Sequence, residues 1–576
     1  MSRGPRRRLL TLLTALSAGV ASAMGGVAAA PGASASDNGL SIRPAMGWSS
    51  WSWIRRTPTE AKIKAQADAL VSSGLAAHGF VYVNLDDFYQ KCDSNGFVVD
   101  SYGRWAVDPA KFPSGIKALA DYVHGKGLKF GFYVTPGIAR NAVTANTPIL
   151  GTSYHAKDIA DTSRTEKNYN CKNMYYIDYG KPGAQEFVDS WADQFASWGI
   201  DYLKIDGVGS ADVADVEAWD KALRRTGRPI NFALSNNLPI ADAATWKRLA
   251  NSWRTQGDVE CYCGPGPNGS GHPLTDWSHV SGRFTSAANW QPYAGPGGWN
   301  DLDSLEVGNG DRAGLTADQR RSMFTLWAMA ASPLLLGTDL TDLDPVDVAM
   351  LTNDRLIAVD QDGVAASRIV NSGSGQVWRK REAGGDYIVA LFNTGTSGGS
   401  TVSVTWSQVG FSGGAKVVDL WSGASEGTIS GSYSATLRPG ETRLIRVTPT
   451  SAPPASSYEA ESGALSGAAA VAACSGCSGG SKVRFIGDSG ANHDTITVNA
   501  YGAGSRSLTI SGLVNGTRSF SVSVNGGAAQ TATLTGTDWS TPVTTSLTVT
   551  LNAGSNTIRF FNDTAYAPDL DKITIG

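Results

Sequence analysis

The chain carries little charge, and neither sign dominates. Only 17% of its 576 residues are charged, and 48 basic against 51 acidic side chains leave a net charge of −3. This balance, with no Lys/Arg run beyond the N-terminus, argues against nucleic acid as a partner. Hydrophobic residues make up 41% of the chain, which excludes a disordered or coiled-coil protein. At about 150 residues per domain, the length predicts two to four domains.

Long hydrophobic runs are absent except near the N-terminus. There an arginine-rich head precedes an apolar stretch from Leu9 to about Val20, and small residues offer cleavage after Ala23 or Ala30. The pattern predicts a signal peptide within residues 1–36 and therefore a secreted protein. The arginines also leave twin-arginine export open. No later segment has the roughly 20 apolar residues of a spanning helix, so no membrane association is expected after signal removal.

Cysteine is scarce, with six residues, but export would allow disulfides to form. Spacing alone does not fix the pairing. A zinc site is disfavoured because the two short cysteine pairs lie more than 200 residues apart and no histidine spacing supports them. The candidate disulfide pairs are Cys92 with Cys171, Cys261 with Cys263, and Cys474 with Cys477.

Glycine and aromatic residues, in contrast, are abundant. The chain has 67 Gly, 17 Trp, 18 Tyr and 17 Phe. Glycine permits tight turns, and aromatic faces stack on the apolar faces of sugars. The composition is therefore compatible with a carbohydrate-active protein.

From residue 42 to residue 362, apolar strand-like runs alternate with amphipathic helical ones. Eight such units in about 320 residues predict an α/β fold, a (β/α)8 TIM barrel, with a doubly wound sheet as the alternative. The predicted strands are 45–48, 81–86, 129–134, 202–206, 231–235, 252–258, 299–305 and 333–338.

After residue 362 the helical periodicity disappears. Short strand-like runs separated by Gly, Ser and Asn turns predict an antiparallel β-domain over 363–447. A Pro/Ser-rich stretch over 448–457 predicts a linker. The second all-β stretch, 458–576, predicts a C-terminal β-sandwich.

The active site of a TIM barrel lies at the carboxyl ends of its strands. Six carboxylates, one lysine and one arginine converge on that end of the predicted barrel, whereas a random surface would scatter them. The polar and aromatic residues placed there are Trp48, Asp86, Asp87, Tyr133, Lys204, Asp206, Asn236, Asn237, Arg254, Asp258, Asp301 and Asp303.

The fourth and sixth strands carry the candidate catalytic pair. Lys204 and Asp206 lie two residues apart on one strand, so both point to the same face, and the ammonium favours an ionised carboxylate. That suits Asp206 as a nucleophile toward an anomeric carbon. Asp258, on the same face as Arg254, could protonate the leaving oxygen, as in retaining glycosidases. The competing interpretation is a structural Lys204–Asp206 ion pair with Asp258 as a helix N-cap.

The paired aspartates after the second strand indicate sugar binding. A carboxylate can accept hydrogen bonds from two neighbouring sugar hydroxyls, and Trp48 is expected to supply an apolar wall. The alternative is that Asp86 or Asp87 caps the next turn.

Ordered motifs on successive strands carry a family resemblance. The chain contains GWSSW (47–51), YVNLDD (82–87), KFPSGI (111–116), GFY (131–133), DYLKID (201–206), WRTQGD (253–258) and GGWNDLD (297–303). Over roughly residues 42–447 they resemble the motifs of glycoside hydrolase family 27, the α-galactosidase family. The resemblance implies a retaining enzyme that needs no cofactor for catalysis. It also implies release of terminal α-D-galactosyl residues from oligo- or polysaccharides, and leaves the oligomeric state open.

The resemblance also implies roles for individual residues. Asp206 matches the family's nucleophile and Asp258 its acid/base. The residues that match sugar-binding positions are Trp48, Asp86, Asp87, Tyr133, Lys204, Arg254 and Asp303.

One departure from the family pattern bears on the substrate. Where the family usually has a Cys-Glu-Trp-like segment contacting the sugar around its 2-position, residues 232–235 run into Asn236, which becomes a candidate substrate-binding residue. β-L-Arabinopyranosides share the ring stereochemistry of α-galactosides but lack the 6-hydroxymethyl group, so a β-L-arabinopyranosidase is the alternative. Retention of both Asp86 and Asp87 favours the galactoside. A catalytically inactive sugar-binding protein is a further alternative, against which both catalytic aspartates argue.

The C-terminal stretch opens with YEAE (458–461) and closes with PDLDKI (568–573). It is similar to the carbohydrate-binding β-sandwiches of families 6 and 35. In those modules acidic residues at the two chain ends often hold a structural Ca²⁺, which implies such a site at Glu459, Glu461 and Asp571. The alternative is that these are exposed strand-end acids.

Overall fold

A computed structural model describes residues 38–382, 385–450, 456–500, 504–552 and 554–576. The predicted signal peptide, and residues 451–455 of the predicted linker, lie outside these ranges. Within them, no helix combines the length and the hydropathy needed to cross a bilayer.

Eight parallel strands form a closed barrel, as predicted. Each strand pairs with the next along the chain from the first to the seventh, and the eighth pairs with the first. Between the seventh and eighth strands the described backbone pairing runs through Leu305, whose N–H donates to Leu335 O at 2.8 Å and which bridges Leu336. The strands are Met46–Ser49, Tyr82–Asn84, Lys129–Val134, Tyr202–Ile205, Asn231–Leu234, Ser252–Arg254, Trp299–Asp301 and Leu334–Leu336.

The helices between these strands begin and end at the residues their sequence favours. The Thr59 side chain accepts from Lys62 N at the start of Glu60–Ser72, and Gly199 ends Ala184–Trp198 with a positive φ of 84°. The α-helices are Trp51–Ile54, Glu60–Ser72, Gly115–His124, Arg140–Ala145, Ala156–Ile159, Ala184–Trp198, Val213–Arg225, Ala243–Leu249, Trp277–Trp290, Ala317–Ala330, Pro345–Leu351, Asp354–Asp360 and Trp406–Val409.

The long segment after the third strand forms a three-stranded sheet of Ile138–Ala139, Ala160–Asn168 and Lys172–Ile177. A disulfide between Cys92 and Cys171 ties it to the loop after the second strand, where Cys92–Asp93 pairs with Gly96–Phe97. The other two candidate pairs are also disulfide-bonded.

The antiparallel β-domain shares a hydrophobic core with the barrel. Trp378 and Phe392 are fully buried and pack edge-on against Phe284 of a barrel helix, with ring centroids 6.4 and 4.9 Å away. Its six-stranded sheet contains Ser367–Ser372, Gly375–Arg381, Tyr387–Asn393, Thr442–Pro449, Gly414–Asp419 and Ser425–Ser430, and its two-stranded sheet contains Ser400–Thr405 and Ser432–Leu437.

The C-terminal stretch has a hydrophobic core of its own. Phe520 and Phe560 meet edge-on in its centre, with ring centroids 5.5 Å apart. Its nine antiparallel strands are Ser456–Glu459, Ala464–Ser466, Ala470–Ala473, Ser481–Arg484, His493–Ala500, Gly504–Val524, Gln530–Leu551, Gly554–Phe561 and Asp569–Ile575.

Candidate active site

A cavity of about 860 Å³ opens at the carboxyl ends of the barrel strands. The structure brings most of the predicted site residues together there. The predicted residues that line it are Asp86, Asp87, Tyr133, Lys204, Asp206, Asn236 and Asp258.

Lys204 is the cation on the second-strand side of the cavity. Its Nζ lies 2.8 Å from Asp86 Oδ2, so its ion-pair partner is Asp86 rather than the expected Asp206. Burial alone would lower the pKa of Lys204, but Asp86 and Asp206 together raise it above its ordinary value. Burial raises the pKa of the neighbouring Asp87 to about 7, and the charge of Asp86 adds to this, although the Phe88 N–H, which donates to Asp87 Oδ1 at 2.8 Å, opposes it.

Asp206 directly follows the fourth strand. Its backbone N–H donates to Val134 O at 2.9 Å, which continues the sheet hydrogen bonding and fixes the direction of its side chain. The Tyr133 hydroxyl donates to Asp206 Oδ2 at 3.1 Å. The carboxylate therefore faces the cavity with one oxygen already oriented.

Asp258 is held by Arg254, four residues earlier. The guanidinium lies 3.1 Å from Asp258 Oδ1 and 2.8 Å from Asp303 Oδ1, and Val259 N–H donates to Asp303 Oδ2 at 2.7 Å. Arg254 is 4% exposed, whereas the Asp258 side chain is 41% exposed and reaches the cavity. The next described α-helix begins at Trp277, so Asp258 is not a helix N-cap. Arg254 and Asp303 thus lie beneath the cavity and orient Asp258.

Trp48 does not form the expected apolar wall. It is completely buried, and its indole N–H donates to Thr338 O at 2.8 Å, so its ring packs in the core between the barrel strands and the helices. Trp51, in the short helix after the first strand, lines the cavity instead. Its ring lies 5.7 Å from that of Tyr169, at the tip of the hairpin that follows the third strand.

Asn236 follows the fifth strand and lines the cavity with a left-handed backbone, φ 132°. Its Nδ2 donates to Val208 O at 3.2 Å, which ties it to the loop after Asp206. Its amide oxygen is the group that remains to accept from a ligand hydroxyl.

Two acidic residues beneath the cavity were missed by the sequence reasoning. Glu260 is buried beside Asp258 and Asp303, and the Ser52 hydroxyl donates to it. Burial, with the two aspartates, raises the pKa of Glu260 well above its usual range, and burial raises that of Glu306 to about 8. Both glutamates are therefore neutral in acidic solution. The counter-charge for Asp258 and Asp303 is the guanidinium of Arg254.

In the C-terminal sandwich, Glu459, Glu461 and Asp571 surround one turn. Ser478 links two of them, since its hydroxyl donates to Glu459 Oε1 at 2.7 Å and its N–H to Asp571 Oδ1 at 2.8 Å. A Cβ on Gly479 would lie 2.8 Å from Glu461 Oε1. Among the described residues, the buried Oε2 atoms of Glu459 and Glu461 have no hydrogen-bond partner. Carboxylate oxygens suit a hard cation such as Ca²⁺, and here the two glutamates supply the unpartnered ones, because the Ser511 hydroxyl donates to the second oxygen of Asp571 at 2.8 Å.

The fold and the two cavity-facing carboxylates define a TIM-barrel glycoside hydrolase. A family model described as alpha galactosidase A matches residues 43–164 and 169–362, and one described as the alpha galactosidase C-terminal beta sandwich domain matches 372–447. The chain belongs to this family, the α-galactosidase family, glycoside hydrolase family 27. The chemistry of that family needs no cofactor.

Relatives and solved structures agree with this assignment. An α-galactosidase from Coffea arabica is 37% identical over 420 residues, 72% of this chain and 95% of its own. One from Cyamopsis tetragonoloba is 35% identical over 423 residues, 72% of this chain and 88% of its own. The structure of a GH27 β-L-arabinopyranosidase from Geobacillus stearothermophilus has 32% identity and a TM-score of 0.66, covering 73% of this chain and 99% of its own. The structure of α-galactosidase I from Mortierella vinacea has 30% identity and a TM-score of 0.56, covering 71% of this chain and 98% of its own.

Proposed function

We propose that the protein is a secreted, retaining α-galactosidase that releases terminal α-D-galactosyl residues from oligo- or polysaccharides. The observation that carries the proposal is the pair of cavity-facing carboxylates, Asp206 and Asp258, each oriented by its own donors. The relatives named α-galactosidases support the choice of sugar.

The reaction proceeds in two displacements. Asp206 attacks the anomeric carbon and forms a glycosyl–enzyme ester, while Asp258 gives its proton to the leaving oxygen as the glycosidic bond breaks. Asp258, now a carboxylate, takes a proton from water, whose oxygen attacks the anomeric carbon and releases Asp206. Asp86, Asp87 and Lys204 are placed to bind hydroxyls of the sugar, at the closed end of the cavity.

A β-L-arabinopyranosidase is the second candidate. It is favoured by the TM-score of 0.66 to the Geobacillus stearothermophilus enzyme, against 0.56 to the Mortierella vinacea α-galactosidase. The acidic pair Asp86 and Asp87 argues for the galactoside, because both carboxyls reach the cavity and suit a sugar that keeps its 6-hydroxymethyl group.

The test compares kcat/KM for nitrophenyl α-D-galactoside and nitrophenyl β-L-arabinopyranoside. We expect the galactoside to be preferred at least tenfold, since lost contacts to a hydroxymethyl group are worth about that much. A preference for the arabinoside would replace the first candidate with the second. Asp206→Asn should lower kcat roughly 10³-fold or more, whereas Asp121→Asn, an exposed helix residue, should leave it unchanged. Normal turnover in Asp206→Asn would refute the mechanism.

For the N-terminus we propose export with cleavage inside residues 1–36. The arginine-rich head and the apolar stretch support it. The mass of the protein recovered outside the producing cell tests this directly, and an intact N-terminus would contradict it.

For the C-terminal sandwich we propose carbohydrate binding, with a structural Ca²⁺ held by Glu459, Glu461 and Asp571. Two exposed aromatic rings, Phe485 and Tyr566, belong to neighbouring loops, because Ala567 N–H donates to Ile486 O and Gly487 bridges Tyr566. Such rings can stack on sugars. Retention of the protein on a galactose-containing polysaccharide should be lost in the Phe485→Ala/Tyr566→Ala double variant, and unchanged retention would refute the assignment.

A further inference from the structure

Tyr262 contacts the acid/base candidate from the cavity side. Its hydroxyl donates to Asp258 Oδ2, while Arg254 holds Oδ1 at 3.1 Å. Trp51 Nε1 donates to the Tyr262 oxygen at 2.8 Å. Because the indole N–H can only donate, it directs the O–H of Tyr262 toward Asp258.

The loop that carries Tyr262 is tightly constrained. The flanking residues Cys261 and Cys263 are joined by a disulfide, and Tyr262 itself has a left-handed backbone, φ 51°. Gly269 packs so closely on this turn that a Cβ there would lie 1.8 Å from Tyr262 O. The Arg55 guanidinium lies 4.3 Å from the Tyr262 ring centroid. Backbone and ring are thus both held, although the side chain is 38% exposed.

We propose that Tyr262 is a positioning residue that fixes the Asp258 carboxyl toward the leaving oxygen, and that the Cys261–Cys263 disulfide holds Tyr262 in place. The inference rests on the proposed role of Asp258 as acid/base. With one donor on each oxygen, the carboxyl cannot rotate about its Cβ–Cγ bond without losing a hydrogen bond. Its side chain is 41% exposed, so packing alone does not hold it.

The same contact adjusts the acidity of Asp258. Burial raises its pKa, but Arg254 and the Tyr262 hydroxyl outweigh that effect and hold the pKa below its ordinary value. Lys204 and Arg283 also favour the carboxylate, Glu260 opposes it, and Asp303 acts on it through Arg254. Asp206 lies across the cavity. Removing the Tyr262 hydroxyl leaves all of these groups in place, so the pKa should rise by one hydrogen bond's contribution.

The experiment compares Tyr262→Phe with Tyr169→Phe. Tyr169 lines the same cavity, and its ring packs edge-on against the Trp51 ring. The substrates are an α-galactosyl disaccharide, whose leaving oxygen needs a proton, and nitrophenyl α-galactoside, whose nitrophenolate leaves without one. In Tyr262→Phe we expect kcat/KM for the disaccharide to fall about tenfold more than for the nitrophenyl substrate. The alkaline limb of the pH profile of kcat/KM should move to higher pH by about one unit in this variant. Tyr169→Phe should show neither change.

Equal losses on the two substrates with an unmoved alkaline limb would overturn the proposal. A Cys261→Ser/Cys263→Ser variant keeps the hydroxyl but frees the loop, and should show the same substrate selectivity in weaker form. Failure of this inference is distinct from failure of the proposed function, because the latter appears in the parent enzyme as a lack of galactoside hydrolysis or in Asp206→Asn as normal turnover.

Discussion

The barrel mouth and the C-terminal sandwich surround their buried acids with different partners. In the mouth, Asp86 is paired with Lys204 and Asp303 with Arg254, each at 2.8 Å. In the sandwich, Asp494 is completely buried, no described cation is paired with it, and only the Thr495 amide offsets its burial. Neighbours act on a buried carboxyl together with burial itself. The mouth thus pairs two of its buried acids with cations, whereas the sandwich leaves Asp494 without one among the described residues.

Removing the cation from the mouth should have the largest effect on stability. Lys204→Met leaves Asp86 buried without its partner, so the free energy of unfolding should fall by about 3–5 kcal/mol. Tryptophan fluorescence during denaturant unfolding measures it, because every tryptophan but Trp539 precedes residue 458. The exposed Lys117–Asp121 pair is the control, and Lys117→Met should cost less than about 1 kcal/mol. Equal effects of the two variants would erase the contrast.

Asp494 should give an intermediate effect that depends on pH. Burial raises its pKa from 3.8 to about 7, so between these values the folded state binds more protons than the unfolded state, and stability falls as pH rises. Asp494→Asn should therefore stabilise the sandwich at pH 8 and much less near pH 4, where the Asp494 carboxyl is protonated in the folded state. Differential scanning calorimetry at the two pH values measures this change in the melting temperature of the sandwich.

Asp538 provides a control of opposite sign. Hydrogen bonds from Ser540 and Thr541 lower its pKa to about 2, so its contribution is present at neutral pH and lost only as pH falls through that value. Asp538→Asn should lower the melting temperature at neutral pH and not near pH 2. If both substitutions shift the melting temperature of the sandwich in the same direction at pH 8, the raised pKa of Asp494 is wrong.

The smallest effect should come from calcium at the turn of Glu459, Glu461 and Asp571. At a Ca²⁺ concentration ten times its Kd, binding to the folded state adds about 1.4 kcal/mol to stability. The melting temperature of the sandwich should therefore rise with CaCl2 and fall with chelator. The Glu459→Gln/Glu461→Gln variant should lose this response. An unchanged melting temperature in CaCl2 would show that these acids hold no Ca²⁺.

The architecture and most of the site follow from the sequence because strand ends in a barrel meet at one mouth. Alternation along the chain predicts all eight strands, and parity places Lys204 and Asp206 on one face. Parity cannot tell which neighbouring strand a long side chain will reach, so the Lys204–Asp86 pair was not predicted.

Two of the aromatic residues at the site depend on local turns that the sequence pattern does not reveal. Trp48 lies on the strand itself and packs in the core between strands and helices, while the short helix that begins at Trp51 carries the next indole into the cavity. Tyr262 reaches Asp258 only because of the disulfide-closed turn and its positive φ. The Cys-Tyr-Cys spacing was the available signal, but pairing and side-chain direction are not encoded in spacing.

The single bridge at Leu305 also bears on how the enzyme loses activity. The seventh and eighth strands share no ladder, and two backbone hydrogen bonds of Leu305, at 2.8 and 3.3 Å, close the ring. Local opening at this contact between the seventh and eighth strands, the seam, can require less free energy than global unfolding. Because Asp303 lies between the seventh strand and this seam, a transient opening would carry it away from Arg254. We therefore expect activity to be lost on heating before the secondary structure, which a comparison of residual activity with far-UV circular dichroism checks.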